Sequence, residues 1–100
     1  MIKETYSIGE IQDALFPIFK NSGVRKAVLF GSYAKGTANV RSDVDLLVDS
    51  GLRGLAFFGL LEDVTAALNI PVDMIDITQI QEGSLIDQEI KRSGVQIYEQ

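Results

Sequence analysis

The sequence predicts a single α/β domain built on a four-stranded sheet. Stretches with apolar residues at helical spacing alternate along the chain with short aliphatic runs that are typical of strands. The chain has 100 residues, 46% of them hydrophobic, which is enough for one core but not for two. The sequence contains no linker, internal repeat or low-complexity segment, so we expect one domain over residues 1–100.

Four aliphatic runs are predicted to form the strands of this sheet. Turn residues bound each run, and the last run alternates apolar and polar residues, as expected of a strand at a sheet edge. The approximate ranges of the strands are residues 25–30, 43–48, 72–77 and 95–98.

Three longer helices are predicted along the chain. The first begins at a capping box on Ser7, and we expect Pro17 to kink or break it before Gly23 ends it. The second covers residues 55–68, and the third begins at a similar pattern on Ser84. Four apolar side chains of the second helix are expected in the core: Phe57, Phe58, Leu61 and Leu68. Phe57 and Phe58 could also leave an apolar edge for a partner. The third helix has an apolar side: Leu85, Ile86 and Ile90.

Two aspartates, Asp43 and Asp45, occupy alternate positions at the start of the second predicted strand. Alternate residues of a strand point to the same face about 7 Å apart, so these carboxylates would project side by side. An unpaired carboxylate removed from water is costly, which calls for a compensating cation. The donors are hard oxygens and the chain has no Cys or His, so the pattern favours Mg²⁺ or Mn²⁺.

A Gly-Ser turn, Gly31-Ser32, follows the first predicted strand. Glycine allows the backbone to approach a ligand closely, and Ser32 offers a hydroxyl and an N–H at the start of a short helical turn, where anions bind well. Gly36 is expected to end that turn. Together with the two aspartates, the turn indicates a site for a phosphate-containing ligand and a metal ion.

These residues resemble the signature of a known family. Residues 31–36 (Gly-Ser-Tyr-Ala-Lys-Gly) followed by residues 42–46 (Ser-Asp-Val-Asp-Leu) are similar to the motif of the DNA polymerase beta-like nucleotidyltransferases, and the chain length resembles their minimal nucleotidyltransferase (MNT) branch. The resemblance implies the nucleotidyltransferase fold, a mixed four-stranded sheet with helices mainly on one face. It also implies nucleotidyl transfer from ATP with two Mg²⁺ ions, or Mn²⁺ in their place.

In this family a third carboxylate lies early in the strand beside the two-aspartate strand, between hydrophobic residues. Val72-Asp73-Met74 fits that setting, so the resemblance implies Asp43, Asp45 and Asp73 as catalytic metal ligands. Asp76 is the alternative, but Asp73 and Asp76 are three residues apart and face opposite sides of a regular strand. Asp76 is more simply a solvated or capping residue.

Phosphate contacts are expected from residues around the same motif. Gly31 and Ser32 would steady the departing pyrophosphate, and Lys35 and Arg41 flank the predicted site and could bind phosphates. Each of these two cations can equally be a solvated loop residue.

Charge and hydropathy disfavour two classes of partner. The net charge is −5 and Lys and Arg form no basic run, which disfavours direct DNA binding. The sequence contains neither a 20-residue apolar span nor a signal peptide, so we expect no membrane association and a cytoplasmic location.

The resemblance implies a protein acceptor for the nucleotide. MNT proteins typically occur with a small HEPN-domain partner as antitoxin and toxin, and members transfer AMP to a tyrosine of that partner. No acceptor-binding domain is expected within this chain, so the acceptor should come from another molecule. Two alternatives remain open: a silent antitoxin that neutralises its partner by contact, and a small-molecule nucleotidyltransferase. The sequence leaves the oligomeric state open, either a homo-oligomer or a hetero-oligomer with the toxin.

Overall fold

A computed structural model describes residues 5–100, so the first four residues of the predicted 1–100 domain lie outside the described residues. The described residues alternate between helices and strands, as the sequence predicts. The helices are α1 Ile8–Asn21, α2 Ser32–Lys35, α3 Leu55–Leu68 and α4 Leu85–Ser93, with a short 3₁₀ helix at Ile77–Gln79. The strands are β1 Lys26–Phe30, β2 Val44–Asp49, β3 Val72–Asp76 and β4 Val95–Glu99.

The four strands form one mixed sheet in the order β3-β2-β1-β4. β1 pairs antiparallel with both β2 and β4, whereas β2 and β3 are parallel. A parallel pair needs a crossover, and α3 provides it between β2 and β3. The predicted mixed sheet is therefore confirmed, and β4 lies at an edge as expected.

The hydrophobic core lies between the sheet and the helices α1 and α3. In β2 every second residue, Val44, Leu46 and Val48, is fully buried. These side chains pack against buried aliphatic and aromatic residues of the two helices: Ile11, Leu15, Phe19, Leu60, Val64 and Leu68. The strict alternation of β2 thus gives one face to the core and leaves Asp45, Leu47 and Asp49 on the other face.

Helix α4 covers part of this other face. Its Ile90 lines a small cavity with Val28 of β1 and Leu47 of β2. Gly94, which joins α4 to β4, is packed so closely that a Cβ there would lie 2.9 Å from Val28 Cγ1 and 2.5 Å from the Ile90 carbonyl oxygen. The two 14-residue helices are on one face, so the prediction of helices mainly on one face is confirmed.

Two predictions about α1 and α3 need correction. Pro17 does not break α1, which continues to Asn21. The proline only removes one internal hydrogen bond, while the capping box of Ser7 and Glu10 supports the start of the helix. Phe58, expected in the core, is 60% exposed, because α3 is apolar on more sides than the sheet can cover.

The apolar side predicted for α4 is also largely in solvent. Leu85 is 84% exposed and Ile86 44% exposed, so only Ile90 of the three packs against the sheet. Ser84 caps the helix by accepting a hydrogen bond from the Asp87 N–H, but the Asp87 carboxylate accepts from Gly83 N–H instead of completing the box. None of the helices in residues 5–100 has the length and apolar character needed to cross a membrane.

Candidate functional site

Two of the predicted carboxylates are neighbours on adjacent strands. The parallel register of β2 and β3 pairs Asp45 with Asp73. Paired residues of adjacent strands point to the same side, and here that side is opposite to the core, since Asp45 alternates with buried Val44 and Leu46. Asp43 lies directly before β2, which begins at Val44 and not at Asp43 as predicted.

The environment of Asp45 is strongly unfavourable for its negative charge. Burial, and then the charges of Asp73, Asp43 and Glu89, raise the pKa of Asp45 to about 6. Burial and repulsion from neighbouring carboxylates both favour the protonated form of an aspartate. A cation beside Asp45 would relieve this repulsion.

The carboxylates do not form a closed metal site in this structure. Within the part of the chain that the structure describes, no group of three or more Asp, Glu, His or Cys side chains is close enough to hold a metal ion. Carboxylates without a cation repel one another, which opposes their convergence. The three-carboxylate metal site therefore stays a prediction, supported by the register of Asp45 with Asp73.

The Gly31 turn lies directly against Asp45. Gly31 has φ 74° and ψ −154°, a conformation that only glycine adopts readily. A Cβ placed on Gly31 would overlap Oδ2 of the Asp45 carboxylate. The turn therefore needs glycine for two independent reasons, and this contact joins the two halves of the sequence motif in space.

The turn residues after Gly31 form the short helix α2. Ser32 is half-buried, and its carbonyl oxygen accepts a hydrogen bond of 3.0 Å from the Thr37 N–H. Gly36 ends α2 in the left-handed conformation, as expected, with φ 76°. Ser32 and the backbone of Gly31 therefore lie on a compact, hydrogen-bonded turn beside Asp45.

Lys35, a predicted phosphate ligand, is paired with a carboxylate of another helix. Its Nζ lies 2.9 Å from Oε1 of Glu89 in α4. Glu89 also contributes to the raised pKa of Asp45, so it belongs to the charged surroundings of the site. Sequence reasoning missed Glu89, because the two partners are 54 residues apart and no local pattern signals their contact.

Arg41, the other predicted phosphate ligand, is exposed in the turn that precedes β2. The turn is held by Asn39, whose side-chain oxygen accepts from Arg41 N–H at 2.8 Å and whose N–H donates to Ser42 Oγ at 2.9 Å. Within residues 5–100 the Arg41 guanidinium forms no ion pair, so its role as a phosphate ligand rests on the sequence motif.

Asp76 has a structural position on the core side of β3. It is only 5% exposed, and its carboxylate accepts hydrogen bonds from the N–H and hydroxyl groups of both Ser50 and Thr78. Burial alone would raise the pKa of Asp76, but these hydrogen bonds outweigh it and lower the pKa. Asp76 caps the 3₁₀ helix, as the sequence allowed, but it is buried rather than solvated.

Comparison with protein families gives a match over most of the chain. The family model "Polymerase beta, Nucleotidyltransferase" matches residues 14–100. This range includes the Gly31 turn, both motif aspartates and Asp73.

Curated relatives are protein adenylyltransferases. The protein adenylyltransferase MntA of Shewanella oneidensis is 31% identical over 72 residues, which are 70% of this chain and 50% of the relative. MntA of Thermococcus cleftensis is 40% identical over 65 residues, which are 61% of this chain and 64% of the relative. This chain thus spans between half and two thirds of the length of these relatives.

Solved structures share the fold at lower identity. A toxin–antitoxin crystal structure with AMP-PNP superposes with a TM-score of 0.75 at 24% identity and covers 89% of this chain and 73% of its own. The tri-AMPylated Shewanella oneidensis HEPN toxin in complex with MNT antitoxin gives a TM-score of 0.70 at 20% identity, covering 93% and 73%. At these identities the similarity establishes the fold.

Proposed function

The chain belongs to the polymerase beta nucleotidyltransferase family, and from this premise we propose that it transfers AMP from ATP to a tyrosine hydroxyl of a HEPN toxin. The observation that supports this proposal most directly is the pairing of Asp45 with Asp73 beside the Gly31 turn. The relatives support the choice of reaction, because they are protein adenylyltransferases. The choice of partner is supported by a solved structure of the same fold in a complex with an AMPylated HEPN toxin.

The donor set fits a Mg²⁺ site. Asp43, Asp45 and Asp73 would supply hard carboxylate oxygens, and the raised pKa of Asp45 reflects its burial and then neighbouring negative charges that a divalent ion would neutralise. When bound, Mg²⁺ supplies charge neutralisation on the triphosphate and acidifies the attacking hydroxyl. Mn²⁺ has the same ligand preference and is the second candidate.

The residues of this chain would bind and orient the nucleotide. In the reaction the acceptor oxygen bonds to the α-phosphorus of ATP, the bond from that phosphorus to the β-phosphate oxygen breaks, pyrophosphate leaves and the hydroxyl proton passes to water. Gly31 lets the turn pass directly against the Asp45 carboxylate, because any Cβ would overlap that carboxylate. Ser32 and Lys35 on α2 and Arg41 before β2 are the proposed phosphate ligands.

The partner is proposed to be a basic toxin. The chain has a net charge of −5, which suits association with a basic, RNA-cleaving protein better than with RNA itself. A hetero-oligomer of this chain with the toxin follows from the proposal.

The experiment is incubation of the purified chain with its HEPN partner and Mg·ATP, followed by mass spectrometry of the partner. We expect one added AMP group or more on tyrosine. Asp43→Asn and Asp45→Asn should abolish the added mass. Asp63→Asn is the control and should leave the added mass unchanged, because Asp63 is an exposed residue of α3, which lies on the opposite side of the sheet from Asp45.

Other outcomes would decide between the alternatives. Modification that persists in the Asp43→Ala, Asp45→Ala double variant would place the activity outside this site. Neutralisation of the toxin that needs neither ATP nor Asp43 would identify a contact-only antitoxin. Transfer of AMP to a small molecule, with the toxin unmodified, would identify a small-molecule nucleotidyltransferase.

A further inference from the structure

The ion pair between Lys35 and Glu89 links two elements that both border the nucleotide site. Lys35 is the last residue of α2, the short helix that begins directly after Gly31. Glu89 lies in the middle of α4, and its Oε1 is 2.9 Å from Lys35 Nζ. The side chains are 44% and 30% exposed, so water and dissolved anions can reach the pair.

The two partners differ in how firmly they are held. Helix α4 is fixed at its start by the Ser84 cap and at its end by the close packing of Gly94 on Val28 and Ile90. The Lys35 ammonium is at the end of a flexible four-carbon stem and can change partner without a backbone movement. Lys35 is therefore the partner of the pair with the longer reach.

The charge of Glu89 extends to the catalytic carboxylates. Glu89 is among the groups that raise the pKa of Asp45, after burial, Asp73 and Asp43. A triphosphate bound beside Asp45 would meet the same negative charge. One of its predicted cationic ligands, Lys35, is already paired with Glu89.

We propose that Glu89 is a resident counter-anion that holds Lys35 in the absence of nucleotide and competes with the triphosphate of ATP for it. Glu89 is thus a positioning residue that weakens nucleotide binding through Lys35. This inference rests on the proposed function only in taking the triphosphate to bind beside Asp45. It does not depend on which molecule accepts AMP.

The test is calorimetric titration of the chain with Mg·ATP in excess Mg²⁺ and without acceptor. In Glu89→Gln we expect the Kd to fall by about two- to fivefold, the range that an exposed ion pair allows. Glu89→Asp keeps the charge but is one methylene shorter, so the contact with Lys35 is lost and the Kd should fall similarly. Lys35→Gln should raise the Kd.

Controls separate the ion pair from general charge and from folding. Glu62→Gln removes one negative charge from an exposed position of α3, which lies on the face of the sheet opposite to Asp45. This change should leave the Kd unchanged. Thermal unfolding of each variant should stay near that of the wild type, because exposed ion pairs add little stability.

The outcomes also distinguish this inference from the proposed function. A Kd that is unchanged or raised in Glu89→Gln overturns the inference, and so does a wild-type Kd in Glu89→Asp, which would assign the effect to charge alone. Tighter binding in both variants without AMP transfer to the toxin would support the inference and refute the proposed function. Transfer of AMP to the toxin together with wild-type Kd values in both Glu89 variants would support the proposed function and refute the inference. No binding of Mg·ATP to the wild type would overturn both.

Discussion

The two faces of the sheet differ in burial and in charge, although the same strands form both. On one face Val44, Leu46 and Val48 of β2 are fully buried beneath α1 and α3. On the other face the alternate residues are Asp45, Leu47 and Asp49, and the nine-residue helix α4 and Ile77 of the 3₁₀ helix cover part of it. Stability is therefore concentrated on the first face, while the second keeps charged groups within reach of a ligand.

The second face is itself divided. Asp49, at the end of β2, accepts hydrogen bonds of 3.2 and 2.7 Å from the guanidinium of Arg25. Asp45, four residues earlier on the same face, has carboxylates as its charged neighbours and a pKa raised to about 6. The charge of Asp49 is compensated by Arg25, whereas the charged neighbours of Asp45 are carboxylates. We therefore expect a cation to bind at the Asp45 end of β2.

Truncation of adjacent leucines gives the strongest test of the difference between the faces. Leu46→Ala leaves a cavity in the core and should lower the free energy of unfolding by about 2–5 kcal/mol. Leu47→Ala is the matched control on the half-buried face, with an expected loss of roughly half as much. Chemical denaturation measures both. Equal losses would contradict the unequal burial of the faces.

Substitution of Gly31 should affect activity more than stability. Gly31→Ala forces a side chain into a glycine-only conformation, at a cost of about 1–3 kcal/mol, and pushes the Asp45 carboxylate away. Gly36→Ala is the control, because Gly36 also has a positive φ but has open space around it, and the change should cost only about 1 kcal/mol. We expect AMP transfer to be lost in the first variant and retained in the second. Retained transfer in Gly31→Ala would separate this turn from the site.

Neutralising Asp45 should stabilise the metal-free protein. Its folded pKa, about 6, is above that of the unfolded chain, so the folded state binds more protons between about pH 4 and pH 6 and loses stability as pH rises through this window. Because water still reaches the carboxylate, we expect Asp45→Asn to raise the free energy of unfolding by only ~1 kcal/mol above pH 6, with no gain below pH 4. Denaturation at both pH values in a chelator measures this. A variant less stable than the wild type at pH 7.5 would show that the charge is already compensated.

The smallest change is expected at the compensated end of the same face. Asp49→Asn removes the ion pair with Arg25, whose side chain is largely exposed, and should destabilise the protein only slightly. The sign is opposite to that of Asp45→Asn, and added salt should diminish it. Parallel denaturation curves of the two variants give the comparison, and a stabilising Asp49→Asn would remove the distinction between the ends of β2.

The sequence by itself determined the elements whose signals are local. Alternation in residues 43–48 and the capping pattern at Ser7 depend on neighbours within a few residues, so the strand and the helix start could be predicted from spacing alone. The Gly31 turn and the aspartate pair were recognisable because chemistry requires those residue types at that spacing. Exposed Phe58 and unbroken α1 at Pro17 show where the local signal failed, since propensity does not say how much of a helix the rest of the fold will cover or support.

Only the tertiary structure decided which charged groups meet. The parallel register of β2 with β3 puts Asp73 beside Asp45 and buries Asp76 on the other side with Ser50, although both aspartates lie in one short strand. Lys35 meets Glu89 because α4 returns across the sheet beside α2. These contacts join residues far apart in sequence, and their formation depends on strand register and helix packing, which the spacing of residues in either segment does not specify.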